Sequence, residues 1–201
     1  MSILGLVVAL LSIEPVLNLI SPGQVMNTSF NRLNLVNTYG AFGSIGRERD
    51  EIIFEGTSSA TPDDSAVWQE YEFKAKPGDP RRRPALVAPY HLRLDWQIWF
   101  AAMASPGEYP WTIHFVWKLL HNDPGTLSLL AKNPFPGAPP RYIRATLYRY
   151  HFTPLDVHDG TWWRRERIRT WLPAVSAEEP ALRGFIEEQG WLRDSAQTPA
   201  Q

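Results

Sequence analysis

Residues Pro89 to Phe100 read PYHLRLDWQIWF, and whether this stretch is strand or helix decides the fold class. Tyr90, Leu92, Leu94, Trp96 and Ile98 alternate with His91, Arg93, Asp95 and Gln97, the period-two pattern of a half-buried strand. Leu92, Trp96, Trp99 or Phe100, and Met103 also fall three to four residues apart, with Ala101 and Ala102 following, so the same residues can open an amphipathic helix. A change of register at Asp95 reconciles the two periods. Tyr90 to Leu94 is then extended, and Asp95 caps a helix running to about Met103, its carboxylate accepting from helix amides that lack an intrahelical partner.

Working outward, the middle of the chain is helical. Pro110 stands at the start of PWTIHFVWKLLH, and Asp123-Pro124 at the start of PGTLSLLAKN. On either side lie strand patterns: LNLVNTY (33–39), DEIIFEGT (50–57), WQEYEFKA (68–75), and then RYIRATLYRYHF (141–152) and TWWRRERIRTWL (161–172), the last two joined across Asp159-Gly160. In WQEYEFKA the rings of Tyr71 and Phe73 alternate with Glu70, Glu72 and Lys74. KPGDPRRRP (76–84) and NPFPGAPP cannot be helix or central strand, because their prolines lack amide donors. SAEEPALRGFIEEQGW is a short helix starting after Ser176. Strands before and after a helical block describe an α+β domain, an antiparallel β-sheet with an inserted helical block.

The N-terminus is different in kind. Between Ser2 and Ile20 the only charge is Glu14, and no polar face is present. About 20 apolar residues span a bilayer, so the segment fits one transmembrane helix ahead of the domain. A secretory signal lacks support, since there is no basic leader or Ala-x-Ala-like cleavage site; a buried helix is the other alternative. A helix at residue 1 without a charged flank is an odd sole anchor, and suggests the tail of a longer membrane protein. Across the whole chain, 20 Lys and Arg against 21 Asp and Glu leave a net charge of −1, so no global field draws in nucleic acid. Lys occurs only at 74, 76, 118 and 132, an arginine bias that hints at a GC-rich bacterial genome. The absence of Cys excludes disulfides, thiolate metal sites and cysteine nucleophiles within this chain. Nine Trp, seven Tyr and nine Phe call for a large core or a gripping surface.

Few residues carry a chemical signature. His91 and Asp95 could be a base and its orienting acid, but no nucleophile accompanies them, and a capping Asp beside a hydrogen-bonded His is the simpler reading. Asp95 is expected to contact His91, Arg93 or another Arg. His114 and His121 lie two helical turns apart, too far to share one metal. Gly40, Gly43 and Gly46 match no phosphate loop and fit a bent strand or bulge. Arg165, Arg167 and Arg169, set beside Trp162 and Trp163, resemble a single-strand nucleic-acid surface, but Glu55, Glu70 and Glu72 on neighbouring strands are the expected partners.

The strings LVNTYGAFGSIGRERDEIIFEGT, EYEFKAKPGDPRRRP, PYHLRLDWQIWFAA, LLAKNPFPG, PPRYIRATLYRYHF and TWWRRERI, in that order, resemble the lipase maturation factor family from about Leu33 to Trp191. The resemblance implies a multi-spanning membrane protein whose last helix, residues 1–21, precedes a C-terminal domain at 30–195. It implies assistance to the folding, assembly or maturation of secreted lipases, without enzymatic chemistry, cofactor or metal. A secreted lipase or other client protein and the lipid bilayer are the expected partners, and nucleic acid is not. The alternative is a membrane-embedded enzyme whose catalytic groups lie mainly in earlier helices. The membrane is that of the endoplasmic reticulum in a eukaryote, or the bacterial inner membrane with the domain extracytoplasmic. Animal members carry Cys in the strings matching Ala75 and Ala85, so any redox role is unsupported here. The Asn27-Thr28-Ser29 sequon is open to glycosylation only in a eukaryotic secretory pathway. A folding factor needs exposed rings rimmed by charge, and Tyr39, Phe42, His91, Arg93, Asp95, Trp96, Trp162 and Trp163 are the candidate partner-binding residues.

Overall fold

The computed structural model describes residues 2–39, 48–63, 65–87 and 89–192. The chain forms two units, Met1–Arg47 and Glu48–Gln201. In the first, α1 (Ser2–Leu11) and α2 (Ile13–Ile20) follow one another around Ser12, where amide bonds from Ser12 to Val8 and from Val16 to Ser12 keep the helical ladder. The 18-residue window Ile3–Ile20 has a mean hydropathy of 2.3 and none of it is buried, so by length and composition it is one candidate membrane span. Beyond it, only Asn37–Thr38 (β2) of the expected strand at 33–39 is extended, paired with Thr28–Ser29 (β1). The glycine-rich segment with Gly40, Gly43 and Gly46 lies outside the described residues.

The second unit is α+β. Its sheet has the order β4-β3-β7-β8, from Gln69–Glu70 (β4), Arg49–Thr57 (β3), Tyr142–Phe152 (β7) and Trp163–Val175 (β8), every pair antiparallel. Strand alternation gives the sheet two different faces. Ile52 and Phe54, opposite Leu147 and Ala145, enter the main core with Ile98, Phe115, Val116, Leu119, Trp171 and Ile186. The helices Arg93–Ala102 (α3), Trp111–Leu120 (α4) and Pro180–Glu188 (α6) supply that layer. Phe54 meets Phe115 edge-on at 5.1 Å, the geometry that ring quadrupoles favour. The other face carries Glu51, Ile53 and Glu55 with Tyr148, Thr146 and Arg144 opposite them. There Ile53, Tyr150 and Trp163 form a second, smaller cluster.

Several expectations shift. The helix at the opening stretch starts at Arg93, two residues before Asp95, so Arg93 and Leu94 are helical rather than extended. WQEYEFKA is not one strand: β4 and Glu72–Phe73 (β5) belong to different sheets, with Tyr71 between them bonded through its amide to the Phe54 carbonyl. Tyr71 and Phe73 are both buried, which the alternation foretold. The helix begun at Asp123-Pro124 ends at Ser128 (α5, Pro124–Ser128), and Leu130–Lys132 (β6) turns away to pair with β5. Asp123 caps α5 by accepting from the Thr126 amide at 2.8 Å. The 153–162 connection between β7 and β8 is longer than a tight Asp159-Gly160 turn, although Gly160 does adopt a φ of 79° there. The last helix starts at Pro180, later than expected after Ser176.

The second face is closed by the proline-rich segment 76–84. Tyr150 donates its hydroxyl to the Gly78 carbonyl at 2.6 Å, and the Trp162 and Trp163 amides both donate to the Pro80 carbonyl. Under this strap the side chains of Lys76 and Glu51 are 2% and 0% exposed, with 3.3 Å between ammonium and carboxylate. A buried pair adds little net stability when complete, but removing one partner strands the other charge. Lys76→Met should therefore cost about 3–5 kcal/mol in equilibrium unfolding, and adding Glu51→Gln should recover part of the loss.

Burial also holds the Tyr71 and Tyr150 phenols above their ordinary pKa of 10.0. Above that pH the unfolded chain sheds these protons while the folded one retains them, so their contribution is whole below about pH 10 and declines as pH rises further. Unfolding midpoints compared at about pH 8 and about pH 11 should fall at the alkaline end, and Tyr150→Phe should flatten the decline.

Candidate functional site

Two places on the second unit combine aromatic surface with polar groups. The first is a cleft of about 190 Å³ where the start of α3 meets the strap, lined in part by Arg49, Lys76, His91, Asp95, Trp96 and Trp99. It exists because Asp95 does not cap its own helix. No side chain caps α3. Asp95 instead reaches across to the strap, its Oδ1 accepting from the Ala75 and Lys76 amides at 2.7 and 2.9 Å. This corrects the sequence expectation twice, because the carboxylate also makes no hydrogen bond or ion pair with His91 or Arg93. Two prealigned amides satisfy one oxygen of a 7% exposed carboxylate, and its Oδ2 is buried without a donor among the described residues.

His91 is exposed, its ring tilted against Trp96 at 5.3 Å between centroids. His91 and Asp95 therefore share a cleft without forming a base–acid pair. Trp96 also meets Trp99 and Phe100, each at 5.4 Å, which makes an aromatic wall. Arg93 points to solvent. The cleft residues invisible to sequence reasoning are Arg49 and Lys76. Lys76 sits in a connection where a lysine would normally be hydrated, and only the burial of Glu51, which both bases contact, reveals why it is enclosed.

The second place is the apex of the β7–β8 hairpin, where a cavity of about 740 Å³ is lined by Pro84, Phe152, Leu155, Val157 and Trp162 among others. Leu155 is 98% exposed, Phe152 68% and Trp162 44%. The Arg83 guanidinium lies 5.5 Å from the Trp162 ring centre, within cation–π range. Trp163, expected beside Trp162 on the surface, is instead buried: Phe152 stacks on it at 4.4 Å and Tyr150 meets it edge-on. Trp162 lies in a bend one residue before β8 begins, and only Trp163 is drawn under the neighbouring rings. Leu155 was legible as an apolar residue in a polar turn and was missed. Tyr39 is exposed in the first unit, and Phe42 lies outside the described residues.

Several arginines on and beside the sheet are committed to carboxylates. Arg165 donates to Glu70 at 3.0 Å and to the Tyr150 hydroxyl at 3.2 Å; burial alone would lower its pKa, but these partners hold it raised. Glu55 takes Arg144, whose guanidinium stacks over Trp68 at 4.1 Å, and Glu72 takes Arg82. Arg167 and Arg169 reach Thr170 and the Ala104 carbonyl rather than acids. His114 stacks on Trp191, and His121 lies tilted against Trp117 at 4.2 Å between centroids. Among the described residues no three His, Asp or Glu converge to hold a metal.

Comparison with known proteins identifies the domain. Residues 35–173 match the family model described as the lipase maturation factor C-terminal domain. The chain is 55% identical over 195 residues to lipase maturation factor 1 of Bos taurus and 53% identical to that of Homo sapiens, covering 94% of this chain and 34% of each relative. It is 38% identical over 180 residues to lipase maturation factor 2 of Gallus gallus, covering 84% of this chain and 24% of that protein. The chain thus spans about a third of the length of the lipase maturation factor 1 relatives. No solved structure matches it. These names give no support to a membrane enzyme, and by sequence and domain the chain belongs to the lipase maturation factor family.

Proposed function

We propose that this chain is the C-terminal part of a membrane protein that assists the folding, assembly or maturation of secreted lipases, acting as a folding factor rather than an enzyme. Residues 1–21 serve as a membrane helix and 30–195 as the client-facing domain, in the endoplasmic reticulum membrane of a eukaryote or the inner membrane of a bacterium with the domain extracytoplasmic. Identity of more than half across nearly the whole chain to proteins named for lipase maturation carries the reading. The hairpin apex supports it physically. Leu155, Phe152 and Trp162 offer exposed apolar surface beside the Arg83 guanidinium, suited to partly folded chains that have not yet buried their own apolar side chains.

The test is to express the protein with a secreted lipase of the same organism and measure active secreted lipase per lipase synthesised. Trp162→Ala, Phe152→Ala and Leu155→Ser should each weaken client capture by about 1–2 kcal/mol, and the triple variant by more. Glu188→Gln on the exposed side of α6 should change nothing. Unaltered lipase yield in the triple variant, at normal abundance of the variant, would remove the hairpin from the proposal. Unaltered yield on deleting the whole protein would remove lipase maturation itself.

A further inference from the structure

The cleft at the start of α3 has a use that client capture leaves open. Asp95 Oδ1 is fixed by two strap amides, while Oδ2 is buried without a donor among the described residues, a costly state for a carboxylate oxygen. Around it stand groups of both hydrogen-bonding senses. Arg49 and Lys76 only donate, His91 donates or accepts according to its tautomer, and Trp96 and Trp99 supply apolar ring surface. Charge selects among ligands. Arg49 and Lys76 disfavour a cation, while Asp95, with Glu51 behind the two bases, disfavours an anion. The guest that suits this lining is neutral, carries hydroxyl donors for Oδ2 and oxygen acceptors for Arg49 or His91, and has an apolar C–H face to lie on indole. A pyranose has all three. The cleft's volume of about 190 Å³ is smaller than sites for drug-sized ligands, roughly 300–1,000 Å³, and suits one ring.

We infer that the cleft binds a single pyranose residue, with Asp95 Oδ2 accepting a sugar hydroxyl and Trp96 packing against the ring. The inference stands apart from lipase maturation and needs no client to be tested. The full chain is placed in lipid nanodiscs free of glycoside detergents and of choline lipids. Methyl pyranosides of glucose, mannose, galactose and N-acetylglucosamine are titrated by tryptophan fluorescence and saturation-transfer NMR. At least one should bind in the millimolar range. Asp95→Asn keeps an oxygen for the two strap amides but turns the free acceptor into an amide donor, and should weaken binding about tenfold or more with little change in unfolding midpoint. Trp96→Ala, at a partly exposed ring, should do the same and decides the matter if Asp95→Asn fails to fold. A glycoprotein that competes with the pyranoside, and no longer competes after enzymatic removal of its glycans, would assign the sugar to a protein-borne source; competition unchanged by deglycosylation would overturn that site-specific reading. Absence of binding by all four pyranosides, binding undiminished in both variants, or preferential binding of tetramethylammonium lost in Asp95→Asn would each overturn the proposal.

Discussion

A carboxylate with no exposed surface, Glu51, sits at the centre of the second face of the sheet, and the architecture on that side follows from neutralising it. Its own strand cannot do so alone: Arg49, two residues earlier on the same face, reaches Oε1 at 2.8 Å but remains half in solvent. The second base comes from Lys76, and bringing a lysine so far inside forces segment 76–84 across the sheet. Once there, the segment supplies carbonyls that Tyr150, Trp162 and Trp163 require, and its amides at 75 and 76 fix Asp95. One buried charge thus couples a strand, a strap and the first turn of α3, and the cleft is the space between them. Replacing such a network by apolar residues is often neutral for stability, so its merit is in specifying where the strap lies.

The two faces of the sheet are held by different physics. On the helical side the gain is apolar area removed from water, as in any layered α+β domain. On the strap side, pairs of arginine with an acid and an aromatic ring recur: Arg144 with Glu55 and Trp68, and Arg165 with Glu70 and Tyr148. Each guanidinium satisfies donors in its plane and covers a ring with its face, a combination that lysine cannot match. The arginine preference of the chain therefore has a structural use on this surface, independent of genome composition.

Periodicity made the architecture legible and long-range pairing limited it. The strands at 50–57, 141–152 and 161–172 and the proline-marked starts of α4 and α5 were readable because their signals are local. The errors at WQEYEFKA and LLAKN have a common cause: β5 and β6 form only because they find each other, and neither stretch contains information about its partner. Asp95 misled in the same manner. A carboxylate at the start of a helix reads as a cap, yet two amides twenty and nineteen residues earlier outcompeted the local ones. At the candidate sites, His91, Asp95, Trp96 and Trp162 were visible as unusual residue types. Leu155 was visible only as an apolar residue in a polar turn, and Arg49 and Lys76 were not visible, since their importance lies in what surrounds them.

The central strand β3 is bordered on one side by β7, and their side chains meet across 89 to 99 residues of sequence. During synthesis at about 5–20 residues per second, β3 leaves the ribosome on the order of 10 s before β7 does. For that interval Ile52, Ile53 and Phe54 are a bare apolar strand, the kind of segment that pairs with other chains. A domain of the lipase maturation factor family thus emerges with an aggregation-prone strand of its own, and the polar residues Arg49, Asp50, Glu51 and Glu55 that bracket this strand double as guards against self-association until the hairpin arrives.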